Sequence, residues 1–206
     1  MNKSHTGIWM TSAFAIALAV AIAALASRGV GHEGTKLALR LTARWSYCLF
    51  LPAYLGGALT TLFGPAFKPL ARRGRDLGLS FASAHLVHVA LVVWLYHISP
   101  RPPVGTGSAV YFGIALLFTY LIALFSIPRL FAMLPPRLWR LLVTVGMEYI
   151  ALAFLRDFLQ NPFDQGLVNL HAYLPFIALA FAALLLRLCA YAKRYAGSRA
   201  HNPASA

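Results

Sequence analysis

The chain has 206 residues, 60% of them apolar and only 11% charged, with 18 Lys and Arg against 5 Asp and Glu. A soluble domain carries roughly a quarter charged residues. Several stretches here reach the roughly 20 apolar residues needed to cross a bilayer, which excludes an ordinary soluble domain. The net charge of +13 does not indicate nucleic acid. The basic residues sit in short segments between apolar runs, where they set orientation and touch lipid headgroups.

The pattern predicts an all-α membrane protein, a six-transmembrane-helix bundle with spans at about 7–27, 43–64, 77–98, 107–128, 138–159 and 167–191. The first span follows Lys3 and His5 and ends in "ALAS", as a signal peptide does. Its apolar stretch is longer than the 7–15 residues of a signal core, so it is read as a retained first helix. Pro and Gly punctuate the gaps, in "GPAFKP" at 64–69, "SPRPPVGTG" at 99–107, "LPP" at 134–136 and "QNPFDQG" at 160–166. Residues 1–192 form one transmembrane domain, and 193–206 a polar, disordered tail that snorkels or touches anionic lipid. Cys48 and Cys189 lie inside apolar runs with no CxxC and read as buried thiols. The N-terminus, the segments after the second and fourth spans, and the C-terminus share 12 Lys and Arg, against 6 on the other side. That asymmetry places both termini in the cytoplasm.

The third span contains "FASAHLVHVALVVWLYH", residues 81–97. His85 and His88 fall about 12–17 Å along the helix from Leu77, near mid-membrane, on faces about 60° apart. Imidazole is costly in hydrocarbon, so the pair serves a haem iron, a proton path or internal hydrogen bonds. Glu148 in the fifth span reaches a similar depth, and a carboxyl there needs a named partner. A histidine serves if spans three and five touch; otherwise a hydroxyl such as Tyr149 or Thr144 does. Arg156 and Asp157 read as a surface pair. His32, His97 and His171 share one predicted surface, either as a metal site or as scattered interfacial residues. Trp45, Trp94 and Trp139 read as an aromatic belt. No Gly-rich phosphate loop, dinucleotide fingerprint or hydrolase spacing occurs, so redox work needs a partner as electron source.

At "RRGRDLGLSFASAHLVH" the chain resembles the ferric reductase-like transmembrane family, which includes the haem-bearing membrane subunit of the bacterial methionine sulfoxide reductase system. The shared elements are Arg72, Arg73, Leu77, Gly78, Leu79 and His88. "RLTARWSYCLFLPAYLGG" is similar to the family's Arg-x-Thr-Gly-x-x-Ala helix, with Ala43 in place of Gly. "LWRLLVTVGMEY" is similar to its Trp-x-x-Leu-His-x-x-Gly-x-x-Tyr helix, with Val143 at the histidine. The match covers about 40–160.

The resemblance implies b-type haem held between His88 and histidines of the fifth span. Those positions are Val143 and approximately Arg156 here, which removes the standard bis-histidine site. Met147, one turn beyond Val143, is the replacement axial ligand, or the position is open. His85 cannot share a haem with His88, since one helix does not reach both porphyrin faces; it serves a second haem, tunes the first or packs.

Three readings stand at this point. One is a membrane electron-transfer subunit in the bacterial inner membrane, in which Glu148 or His85 tunes a haem or moves a proton. In it Arg72, Arg73 and Arg75 dock an acidic reductase or pair with haem propionates. The second is a haem-free scaffold or accessory subunit of a larger membrane complex. The third is a small transporter or proton channel using the same polar residues. The chain is at most the membrane component of an oxidoreductase.

Overall fold

The structure is a computed structural model that describes residues 3–164 and 170–200, with side chains over 5–160 and 170–197. Among the described residues every regular element is helical. The elements are α1 (Lys3–Arg28), α2 (His32–Phe63), a 3-10 turn (Pro65–Phe67), α3 (Lys68–Arg72), α4 (Gly74–Ile98), α5 (Thr106–Phe125), α6 (Pro128–Phe131), α7 (Pro136–Asp164) and α8 (Leu170–Ala200). Six of them are long and apolar enough to cross a membrane, matching the six predicted spans: α1, α2, α4, α5, α7 and α8. The chain is an integral membrane protein, with the bilayer as its environment.

The elements group into two compact units. The first comprises Met1–Phe50 and Arg75–Ala153. Its core is a layer of small residues. Ala13, Ala17, Ala21 and Ala24 recur along one face of α1 and meet Ala38 of α2 and Ala84, Val87 and Leu91 of α4. Small side chains let helix backbones approach closely, and in a bilayer this packing replaces the hydrophobic drive that water would supply. Polar ties pin the same helices. The Trp45 indole N–H donates to the Ala13 carbonyl at 3.1 Å, Ser83 Oγ to the Met10 carbonyl at 3.0 Å and Thr6 Oγ1 to Asp76 at 2.8 Å. Tyr120 of α5 donates to the Ala82 carbonyl of α4 at 3.4 Å.

Between α5 and α7 the close approach is at Gly146. A Cβ there would lie 2.8 Å from Ile122 Cδ1 and 3.0 Å from Phe118 Cδ1. Beside it, Tyr149 donates to the Tyr111 carbonyl at 3.2 Å, and its ring packs on Tyr111 and Phe118.

The turn from α1 into α2 rests on two glycines. Gly29 has φ +81°, left-handed backbone that suits a residue without Cβ. Gly34, in the first turn of α2, lies so close that a Cβ on it would collide with the Gly29 carbonyl oxygen.

The second unit comprises Leu51–Gly74 and Phe154–Ala206. Here α2 ends at Gly64, φ +89°, and the chain folds back through the 3-10 turn so that α3 lies on α2. A Cβ at Gly56 would meet Ala71 Cα at 3.0 Å. Phe158 of α7 packs on Phe176 of α8 with ring centroids 5.4 Å apart. Arg187 of α8 donates to the Tyr54 carbonyl at 3.2 Å.

Several predicted details change. α2 begins at His32 rather than near 43, because Thr35, Ala38 and Thr42 are buried on one face while Lys36 is exposed on another. Packing, not hydropathy, sets that start. Trp45 therefore lies inside α2, where its indole N–H ties it to α1. Cys48 and Cys189 are exposed on their helices, not buried; in a lipid-facing position a thiol behaves as a small apolar group. α8 continues through Ala200, so residues 193–200 extend a helix where a disordered tail was expected, and 201–206 lie outside the described residues. The predicted Pro-Gly breaks at 64–69 and 134–136 border the short helices α3 and α6, each opened by an early proline.

Candidate functional site

Within the first unit, α2 and α4 run antiparallel with their contacts in register. Thr42 faces His88, and two turns further along α2, Phe50 packs edge-on against Phe81 with centroids 5.3 Å apart. Between these contacts sit His85 and His88. Their rings stack nearly parallel, 15° apart in tilt and 5.0 Å between centroids, and Phe81 packs against His85 at 5.4 Å. The i, i+3 spacing on one helix brings the two imidazoles together; both are partly buried.

The polar contacts around His88 come from α2. Thr42, fully buried on α2, sends its hydroxyl hydrogen back to the Ala38 carbonyl at 2.8 Å, with Leu39 O at 3.2 Å. Its oxygen then accepts from His88 Nδ1 at 3.1 Å, and the Leu39 backbone is a further hydrogen-bond partner of the same histidine. In the tautomer that carries its proton on Nδ1, His88 donates to Thr42 and Nε2 keeps its lone pair. Metal-binding histidines show the same division of labour: one nitrogen donates to a neighbouring oxygen and the other faces the metal.

One turn along α2 from Thr42, Ser46 is fully buried, and its Oγ has no hydrogen-bond partner among the described residues. The register sets it level with Ala84 and His85. Neither Thr42 nor Ser46 was singled out from sequence as a partner of the histidines. The signal was present in the small or hydroxyl residues Ala38, Thr42 and Ser46 at four-residue spacing, which mark a close helix contact rather than a lipid-facing flank.

The remaining predicted site residues are distributed more widely. Glu148 and Met147 are half-buried on α7, next to the Gly146 and Tyr149 contacts with α5. The side chain in polar contact with His88 is Thr42 of α2. Val143, at the family's ligand position, is half-buried, as are Arg156 and Asp157. Arg72 and Arg73 are exposed. Arg75 is half-buried, and its Nε donates to the Ser126 carbonyl at the end of α5 at 3.1 Å, a cation on the negative end of a helix. His97 packs on Trp94 at 5.7 Å, while His32 and His171 are exposed. Among the described residues no three His, Cys, Asp or Glu side chains cluster closely enough to hold a metal ion.

Fold and site together define a six-span helical membrane protein with a stacked histidine pair between its second and third spans. No protein-family model, curated protein or solved structure matches the chain.

Proposed function

We propose that the protein is a ferric reductase-like membrane subunit of the bacterial inner membrane, both termini cytoplasmic, in which His88 is the axial ligand of one b-type haem. The observation that carries this reading is the 3.1 Å contact of His88 Nδ1 with Thr42 Oγ1, whose hydroxyl is within reach of the Ala38 carbonyl; in the tautomer protonated on Nδ1, Nε2 is the ligand atom. His88 would offer one nitrogen donor. The chain supplies no second histidine, because Val143 and Arg156 stand at the family's other positions. Met147 on α7 would be the second ligand, or that position would stay open.

When bound, such a haem supplies one-electron transfer at mid-membrane depth. The chain's own residues hold and orient it. Thr42 fixes the tautomer and ring angle of His88, and the His85 ring stacked 5.0 Å away restricts rotation of that imidazole. The donor of electrons is a separate reductase, since no nucleotide or flavin motif occurs in the sequence.

The test is a reduced-minus-oxidised spectrum of the protein purified after expression with ample haem. A b-type band that disappears in His88→Ala and survives in His85→Ala supports the reading; absence of any chromophore in the wild type refutes it. A haem-free scaffold is the second reading, favoured by Val143 and by the buried alanine face that joins α1, α2 and α4. It predicts no chromophore and retention of a membrane partner.

A further inference from the structure

In the second unit, the C-terminal end of α2 is flanked by cations from two sides. α3 packs on α2 at Gly56, where a Cβ would lie 3.0 Å from Ala71 Cα and 3.1 Å from Ala71 N. That contact holds Arg72 and Arg73, the next two residues, beside this level of α2. From α8, Arg194 takes the neighbouring position. Its Nη2 donates to the Gly57 carbonyl at 3.3 Å and to Thr61 Oγ1 at 2.8 Å, and its Nε donates to Thr61 Oγ1 at 3.1 Å. Lys193 Nζ donates to the Leu62 carbonyl at 3.3 Å. Deeper along α8, the Arg187 guanidinium lies 4.6 Å from the centroid of the Tyr54 ring and donates to Tyr191 Oη at 2.7 Å.

The α2 carbonyls, at the negative end of that helix, answer part of this charge. Residues 51–74 and 187–200 nevertheless contain seven Lys and Arg and no Asp or Glu. Arg72, Arg73, Lys193 and Arg194 are all exposed. Lys193 and Arg194 lie within about one turn of the end of the α8 candidate span at Gly197, beside the end of the α2 span at Phe63. Leu185 and Leu188, between one and three turns before these cations on α8, are exposed apolar side chains.

We propose that this surface binds one anionic glycerophospholipid, its phosphate held between the cations of α3 and α8 and its acyl chains against Leu185 and Leu188. Charge complementarity selects a phosphate ester, and the apolar side chains of α8 select one that carries acyl chains. The site is independent of the histidine pair and of any haem.

The experiment uses the purified full-length protein in nonionic micelles. Native mass spectrometry compares retention of phosphatidylglycerol with that of phosphatidylcholine of the same acyl chains. The expected result is several-fold preferential retention of the anionic lipid. Arg72→Gln/Arg73→Gln and Lys193→Gln/Arg194→Gln each lower it, by about five-fold per cation removed. Arg72→Lys/Arg73→Lys retains it. Equal retention of the two lipids by the wild type overturns the proposal. So does undiminished retention in Arg72→Gln/Arg73→Gln, which decides alone if the α8 variant fails to fold. Complete displacement of the lipid by millimolar inorganic phosphate overturns it as well, because the site then takes a free anion. Retention that follows a co-purified acidic protein and not the lipid also counts against it.

Discussion

The Thr42–His88 contact permits a quantitative test of how α2 and α4 are joined. Thr42→Val preserves the shape of a fully buried side chain and removes the one hydroxyl that accepts from His88 Nδ1. No cavity opens, so the loss is confined to hydrogen bonding. Side-chain hydrogen bonds inside membranes average about 0.6 kcal/mol and reach about 1.7 kcal/mol. This bond is neutral and 3.1 Å long, and the Leu39 backbone stands by as a substitute acceptor. A coupling of about 1 kcal/mol follows, roughly a five-fold change in the folding equilibrium. The assay is a double-mutant cycle of Thr42→Val and His88→Leu, read by reversible unfolding in mixed micelles titrated with SDS. A coupling energy below about 0.3 kcal/mol would show that the two side chains are neighbours without a working bond. The proton assignment on His88, and the reading of Nε2 as a free ligand atom, would fall with it.

Two further substitutions separate packing from polarity elsewhere in the first unit. Ser46→Ala removes a buried hydroxyl that has no partner among the described residues. It is expected to be neutral or stabilising by up to about 1 kcal/mol in the same unfolding assay, since an unsatisfied buried polar group costs roughly 1–3 kcal/mol; a loss of stability would mean that Ser46 has a partner. Gly34→Ala places a Cβ against the Gly29 carbonyl oxygen, a backbone atom that cannot swing aside. It is expected to cost at least about 2 kcal/mol. Gly31→Ala, with nothing within 4 Å of the added Cβ, is the control and should be close to neutral.

Much of the architecture is legible in the sequence because lipid imposes a simple rule: a spanning segment must be apolar, and its backbone must satisfy itself. All six spans follow from that rule. The edges do not, and α2 shows why. Lys36, Arg40 and Arg44 lower its early hydropathy, but Thr35, Ala38 and Thr42 on another face are what continue the helix back to His32. Periodicity of small residues mattered more there than total hydrophobicity. The same signal governs the site. His85 and His88 stand out in sequence because imidazole is rare in a span, whereas Thr42 looks unremarkable until α4 is laid against it. Depth matching offers Glu148 as a partner for a histidine, but depth gives no information about rotation around a helix axis. Gly146 and Tyr149 turn that part of α7 toward α5.

The alanine face of α1 bears on where this protein can move. Alanine has no side-chain torsions to freeze, so the seam through Ala13, Ala17, Ala21 and Ala24 forms at little entropic cost. It also has no alternative rotamers with which to accommodate sliding. α4 is therefore docked on a stiff plate, and the imidazoles it carries inherit that rigidity.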